Sequence, residues 1–178
     1  MKEKIRAVKM LITDVDGVLT DGKLYYLGNG VEAKSFDVKD GFIIRLAIKL
    51  GLRFGIITGK MSSIVERRAK ELGIEEVHQG YFDKLTIYEG IKKRQGLEDK
   101  DIAYIGDDLF DLGVLTSVGF SACPSDAAPE VKEVVDYITE KPGGKGAIRE
   151  LIELHFKAKG QWDDIVKGFI TSEIYGKK

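Results

Sequence analysis

Short apolar runs recur along this chain, each closed by a small or acidic residue and followed by a stretch with helical spacing. The first occupies residues 8–13 and ends on the acids Asp14 and Asp16. A β-branched and apolar run of this length, bounded by turn-forming residues, predicts a buried strand. Further strands are predicted at 54–57, 75–79, 102–105, 119–122 and 137–138. Between them, helical spacing predicts helices at 41–50, 64–72, 84–95, 111–116, 127–134 and 147–159. Asp40 is the expected N-cap of the first of these and Gly51 its stop; Ser62 or Ser63 and Gly73 bracket the second. Residues 1–6 are charged and are expected to lead straight into the first strand.

Strand and helix alternate throughout, so the pattern predicts an α/β fold: a single Rossmann-like domain with a mainly parallel sheet and helices on both faces. Two strand-like pieces flank Gly28-Asn29-Gly30 within residues 22–36, and Asn-Gly accepts the positive φ angles of a tight turn. This β-hairpin projects from the first strand and is too short to be a domain. Residues 1–178 read as one domain, with a C-terminal helix and tail at 146–178 that is amphipathic past Trp162 and then polar.

A length of 178 residues fits one domain with a substantial core. With 28 Lys plus Arg against 29 Asp plus Glu, the net charge of −1 carries no nucleic-acid footprint, so any anion site must be local. The single cysteine, Cys123, cannot form an internal disulfide and reads as a small core residue rather than a nucleophile. No signal-type or membrane-length apolar run is present, which predicts a cytoplasmic protein with no membrane partner.

Open α/β sheets bind ligands at the carboxyl ends of their strands. Four groups fall there in order: Asp14 with Asp16, then Thr58, then Lys84, then Asp107 with Asp108. Each alone has a structural reading as a cap, a turn acid or a surface lysine. Their shared edge favours chemistry. Asp14 and Asp16 would point to one side of a continuing strand and repel unless a cation or a shared proton lay between them. Thr58-Gly59 ahead of a helix suits an anion, and Lys84 in a first helical turn opposes the dipole unless an anion lies nearby.

Asp14-Val15-Asp16-Gly17-Val18-Leu19-Thr20, Ile57-Thr58-Gly59, Lys84, and Gly106-Asp107-Asp108 with Asp111 together resemble the four motifs of the haloacid dehalogenase superfamily of phosphohydrolases. The resemblance implies that Asp14 attacks phosphorus and that Asp16 is the general acid and base. It implies that Thr58 and Gly59 hold a phosphoryl oxygen, which Lys84 neutralises together with Asp14. Magnesium would be held by Asp14, the backbone carbonyl of Asp16, and Asp107. Asp108 either reaches the metal through water or orients Lys84, and Asp111 stands behind the ligands.

Residues 21–39 have room only for the hairpin and 61–83 only for a helix and a strand, so no cap domain is expected. Among capless members the resemblance is closest to the phosphatases of 3-deoxy-D-manno-octulosonate 8-phosphate. It rests on residues 14–22, Asp37-Val38-Lys39-Asp40-Gly41, and the Gly143-Gly144-Lys145-Gly146 stretch with the helix start after it. It implies a sugar-acid phosphate substrate in lipopolysaccharide precursor synthesis. It further implies a homotetramer in which hairpins associate and neighbouring subunits close the site. Lys60 stands where relatives commonly carry Arg, and either it or Arg68 could meet the sugar carboxylate; a solvated helix face is the equal alternative for Arg68. His78, His155, Trp162 and Tyr175 read as structural. Three other readings stay open: a phosphatase for another nonulosonic acid phosphate, a receiver module, and a non-catalytic subunit of the same fold.

Overall fold

A computed structural model of the protein describes residues 1–28 and 31–172. Among them the strands are β1 (Met10–Thr13), β2 (Tyr25–Tyr26), β3 (Glu32–Ala33), β4 (Arg53–Thr58), β5 (Glu76–Gln79), β6 (Ile102–Ile105), β7 (Phe120–Cys123) and β8 (Tyr137–Ile138). The helices are α1 (Lys2–Ala7), α2 (Val38–Lys49), α3 (Ser63–Leu72), α4 (Lys84–Gln95), α5 (Leu112–Leu115), α6 (Pro129–Lys132), α7 (Ala147–Ala158) and α8 (Trp162–Ile170). Six strands form one parallel sheet in the order β5-β4-β1-β6-β7-β8, while β2 and β3 pair antiparallel as a separate hairpin. β1 lies inside this sheet, with Thr13 opposite Ile56 on one side and Ile105 on the other.

The period-two geometry of β1 divides the core. Leu11 packs with Ile5, Ile44, Val65, Ile152 and Phe156 under α1, α2, α3, α7 and α8. Met10 and Ile12 pack on the other face with Tyr88, Ile91, Val114 and Val131, under α4, α5 and α6. Both faces are therefore buried, as a parallel sheet requires. Cys123 lies within the second layer, and its burial pushes the thiol up to about 11.

Two expectations are corrected. The amino terminus does not run straight into β1: residues Lys2–Ala7 form α1, which buries only Ile5 and so gives a weak periodic signal. The cap of α2 is Asp37, whose extended backbone lets its carboxylate accept from the amides of Lys39 (2.6 Å) and Asp40 (3.2 Å). Asp40 already lies inside the helix and is buried, so its carboxylate needs other donors. It finds them on α7, accepting from Gly146 N (3.2 Å) and Arg149 N (2.7 Å), and thus caps a helix more than 100 residues away. The hairpin is present as expected, but its Asn29-Gly30 turn and the tail at 173–178, including Tyr175, lie outside the described residues.

Candidate active site

The sheet hydrogen bonding continues one residue past β1, where Asp14 N donates to Ile105 O (3.0 Å). The chain then coils around one carbonyl, with the amides of Val18, Leu19 and Thr20 all donating to Val15 O at 2.9–3.3 Å. This buries Val15, Val18 and Leu19 and separates the two acids that a continuing strand would have put side by side. Asp14 is 2 % exposed, whereas the Asp16 side chain is 28 % exposed and turns toward the hairpin. Gly17 closes the turn at φ +90°, and a Cβ there would lie 2.0 Å from Asp107 Oδ2. Only glycine admits both the turn and the carboxylate.

From the opposite side the Gly-rich segment ahead of α7 presses on this loop. Gly144 N donates to Val18 O (2.9 Å), and a Cβ on Gly143 would lie 1.8 Å from Gly17 O. The resemblance at residues 143–146 thus has a physical basis in close backbone packing on the loop that carries Asp16.

Lys84 opens α4, which Asp83 caps at Thr86 N (3.2 Å). The lysine is buried, with Nζ 3.0 Å from Asp14 Oδ2 and 2.7 Å from Asp111 Oδ1, and with the Phe110 ring centroid at 4.3 Å. The anionic partners that a lysine in a first helical turn requires are these two acids. Asp111 is satisfied on both oxygens. Oδ1 accepts from Lys84 and from Tyr104 OH (2.5 Å), and Oδ2 accepts from the amides of Asp107 (3.0 Å) and Asp108 (3.2 Å). Asp108 instead accepts from Leu109 N (2.7 Å), capping the short 3-10 turn Leu109–Asp111. Of the two adjacent possibilities, the carboxylate that orients Lys84 is therefore Asp111, because that turn swings its side chain back beneath the loop.

Asp14, Asp107 and Asp111 each offer an oxygen within 4.8 Å of the others. With Asp111 fully engaged, Asp14 Oδ1 and Asp107 Oδ1 remain buried without a hydrogen-bond partner. Burial drives Asp14 up to about 7, against the opposing pull of Lys84 and with a push from Asp111. Burial also drives Asp107 up to about 8, with Asp14 and Asp111 adding repulsion. Two orphaned, hard oxygen ligands, destabilised as anions, fit a small divalent cation.

Thr58 is buried at the end of β4, and its carbonyl receives Gly80 N (3.0 Å) and Tyr81 N (3.2 Å), fastening the loop that leads to Lys84. A Cβ on Gly59 would touch the Phe82 ring at 3.4 Å. Lys60 Nζ pairs with Glu32 Oε1 of β3 at 2.5 Å. Arg68 joins none of these groups: its guanidinium lies over the Phe36 ring (5.7 Å) in the groove between α2 and α3 and reaches Glu71 Oε2 at 3.4 Å. His155 is a core residue, with Nδ1 2.9 Å from Ile5 O, and His78 sits on edge strand β5 beside Glu76.

Sequence reasoning missed Lys34, whose nearly fully buried side chain pairs with Asp16 Oδ1. Its signal was the Glu32-Ala33-Lys34 alternation on the returning strand of the hairpin. It also missed Tyr104, although a lone hydroxyl in the apolar run of β6 demands a buried partner.

Known phosphatases resemble the chain in both sequence and fold. The chain is 40% identical over 161 residues to the 3-deoxy-D-manno-octulosonate 8-phosphate phosphatase of Escherichia coli (strain K12), covering 90% of this chain and 86% of that protein. It is 38% identical over 174 residues to the Haemophilus influenzae enzyme of the same name, covering 97% of each. Among solved structures, that phosphatase from Moraxella catarrhalis, in complex with magnesium ion, phosphate ion and KDO, superposes with a TM-score of 0.92. It is 42% identical, over 94% of this chain and 97% of that one. The cobalt-bound Haemophilus influenzae phosphatase gives a TM-score of 0.89 at 38% identity, over 94% of this chain and 99% of that one. The family model for haloacid dehalogenase-like hydrolases matches residues 58–151, over half of the sequence, and the chain belongs to that family.

Proposed function

We propose that this protein is a magnesium-dependent phosphatase that hydrolyses 3-deoxy-D-manno-octulosonate 8-phosphate to the free sugar acid and phosphate. The observation that carries the reading is the buried pair of orphaned oxygens on Asp14 and Asp107, beside Lys84. Relatives of the same length and fold bear this activity in their names, and one holds the metal, phosphate and sugar acid together.

Asp14 attacks phosphorus, the bond to the leaving alcohol breaks, and Asp16 delivers its proton to that alcohol oxygen. Water then attacks the aspartyl phosphate and gives its proton to Asp16. The bond from phosphorus to Asp14 breaks and releases inorganic phosphate. Lys84 offsets charge on Asp14 and on the phosphoryl oxygens, while the Thr58 hydroxyl and the Gly59 amide hold one of those oxygens. Asp111 and Tyr104 keep Lys84 aimed. Asp14, Asp107 and the Asp16 carbonyl would hold magnesium, whose charge would offset the repulsion between a phosphate dianion and two carboxylates.

The assembly in this reading is a homotetramer. Leu24, Tyr26, Leu27 and Val31 of the hairpin are about half exposed or more, a surface that association would cover. Arg68 then serves a neighbour's substrate carboxylate, and Lys60 serves its own. The reading makes this a cytoplasmic enzyme of lipopolysaccharide precursor synthesis; among the described residues no helix is long and apolar enough to cross a membrane. Sedimentation of a form lacking residues 25–31 should show smaller species; an intact tetramer would remove the hairpin from the interface.

The test of function is phosphate release, with and without Mg²⁺, from a panel of sugar-acid phosphates, nucleotides and p-nitrophenyl phosphate. Strong preference for the eight-carbon sugar acid supports the reading. Even activity across the panel keeps the chemistry and removes the substrate.

A further inference from the structure

Residues 32 and 34 are two apart on the returning strand of the hairpin and its extension, so their side chains share a face. That face lies over two loops of the site. Glu32 meets Lys60 at the end of β4, and Lys34 meets Asp16 beyond β1. The two pairs differ in burial. Lys60 is 39 % exposed and could pair with water instead, whereas the Lys34 side chain is 1 % exposed. A lysine is almost never buried to that degree without a partner, and among the described residues Asp16 is the carboxylate within ion-pair distance.

The geometry singles out one oxygen. Asp16 Oδ1 accepts from Lys34 Nζ and, at 3.4 Å, from the Thr20 hydroxyl. No donor among the described residues reaches Oδ2. A carboxylate as open as this one would otherwise rotate among rotamers. General acid catalysis needs the proton within hydrogen-bond reach of the departing oxygen, and a misplacement of about 1 Å costs on the order of 10²-fold.

We propose that Lys34 is a positioning residue for the proton-transfer steps: it fixes Oδ1 of Asp16 so that Oδ2 carries the proton. This rests on the phosphatase reading. In the first step the Oδ2 proton passes to the alcohol oxygen as its bond to phosphorus breaks and the bond to Asp14 forms. In the second, the attacking water returns a proton to Oδ2. In this assignment Lys34 acts through Asp16 and transfers no proton of its own.

A lysine that only tethered the hairpin would depress activity on every aryl phosphate alike. A lysine that acts through leaving-group protonation must matter more as the leaving group becomes more basic. The experiment therefore compares kcat/KM, which reports the steps through leaving-group departure, for the full-length protein with Mg²⁺. The substrates are the sugar-acid phosphate and a series of aryl phosphates from p-nitrophenyl to phenyl. For Lys34→Met the expected loss is about 10²-fold on the sugar-acid phosphate, falling to under about 5-fold on p-nitrophenyl phosphate. Lys34→Arg should restore most of it, and Lys34→Met should add nothing in an Asp16→Asn background. A uniform loss across the series, or additivity with Asp16→Asn, overturns the proposal. If Lys34→Met does not fold, Lys34→Gln, which keeps a donor without the charge, is read by the same slope. A wild-type protein that releases phosphate from none of these substrates overturns the phosphatase reading and this one with it. A wild-type protein that is active, with a flat Lys34→Met profile, overturns only this one.

Discussion

Asp14 and Asp16 are two residues apart and have opposite surroundings. Asp14 ends a central strand, is 2 % exposed, and faces Lys84, which is itself held by Asp111 and, through Asp111, by Tyr104. Each of those partners comes from the strands, helices and turn of the main domain. Asp16 is open, and its chief partner, Lys34, follows the short strand β3 of a projecting hairpin. In the proposed mechanism the contrast separates two tasks. The charges assigned to phosphorus, common to every phosphomonoester, are built into the core. The carboxylate assigned to the leaving group, the part in which substrates differ, pairs with a residue of an appendage.

The largest expected effect breaks the comparison on its closed side. Asp14→Asn should lower phosphate release by about 10⁴-fold or more on all substrates, since it removes the proposed nucleophile. The fold should hold, because the change also removes a buried charge from a crowded acid cluster. Near-full Mg²⁺-dependent turnover by Asp14→Asn would refute the assignment. Asp16→Asn should instead fall unevenly, most steeply on the most basic leaving groups.

A second effect concerns metal and pH. In the metal-free protein Asp14 is driven up to about 7 and Asp107 to about 8 by burial, above their value in an unfolded chain. The folded state then binds more protons than the unfolded one. Its stability from these groups is complete below the unfolded value and is lost as pH rises through about 7 and 8. Magnesium competes with those protons, so its affinity and the rise in Tm that it brings should grow between about pH 6 and about pH 8.5. Thermal melts with and without Mg²⁺ at the two values read this directly. A metal-induced rise no larger at the higher pH would mean that Asp14 and Asp107 do not hold the ion.

Much of the closed side was legible in the sequence because strand ends and acids are local signals. β6, α4 and β8 occupy the residues that periodicity and turn residues predict. Asp14, Thr58, Lys84 and Asp107 follow from the order of those strand ends. The open side was less legible. That Lys34 reaches Asp16 depends on how a short hairpin folds back over β1, and no spacing along the chain encodes that. Asp40 misled for a related reason. It is a cap, as its residue type suggests, but of α7, and contacts across so many residues are invisible to local pattern. Asp108 and Asp111 could be told apart only once the 3-10 turn between them was known.

The smallest effect sharpens the claim that the closed side is held from behind. Tyr104 is fully buried, and its hydroxyl donates to Asp111 Oδ1, which also holds Lys84. Tyr104→Phe deletes one donor and leaves the packing of the ring intact. The carboxylate keeps Lys84 and two amides, so stability should fall by only about 1–2 kcal/mol, or about 2–8 °C in Tm for a chain of this size. Lys84 would lose part of its aim at Asp14, so kcat should fall a few-fold, equally on sugar and aryl phosphates. A loss that instead grew with leaving-group basicity would tie Tyr104 to Asp16, and the division between the two sides would not hold.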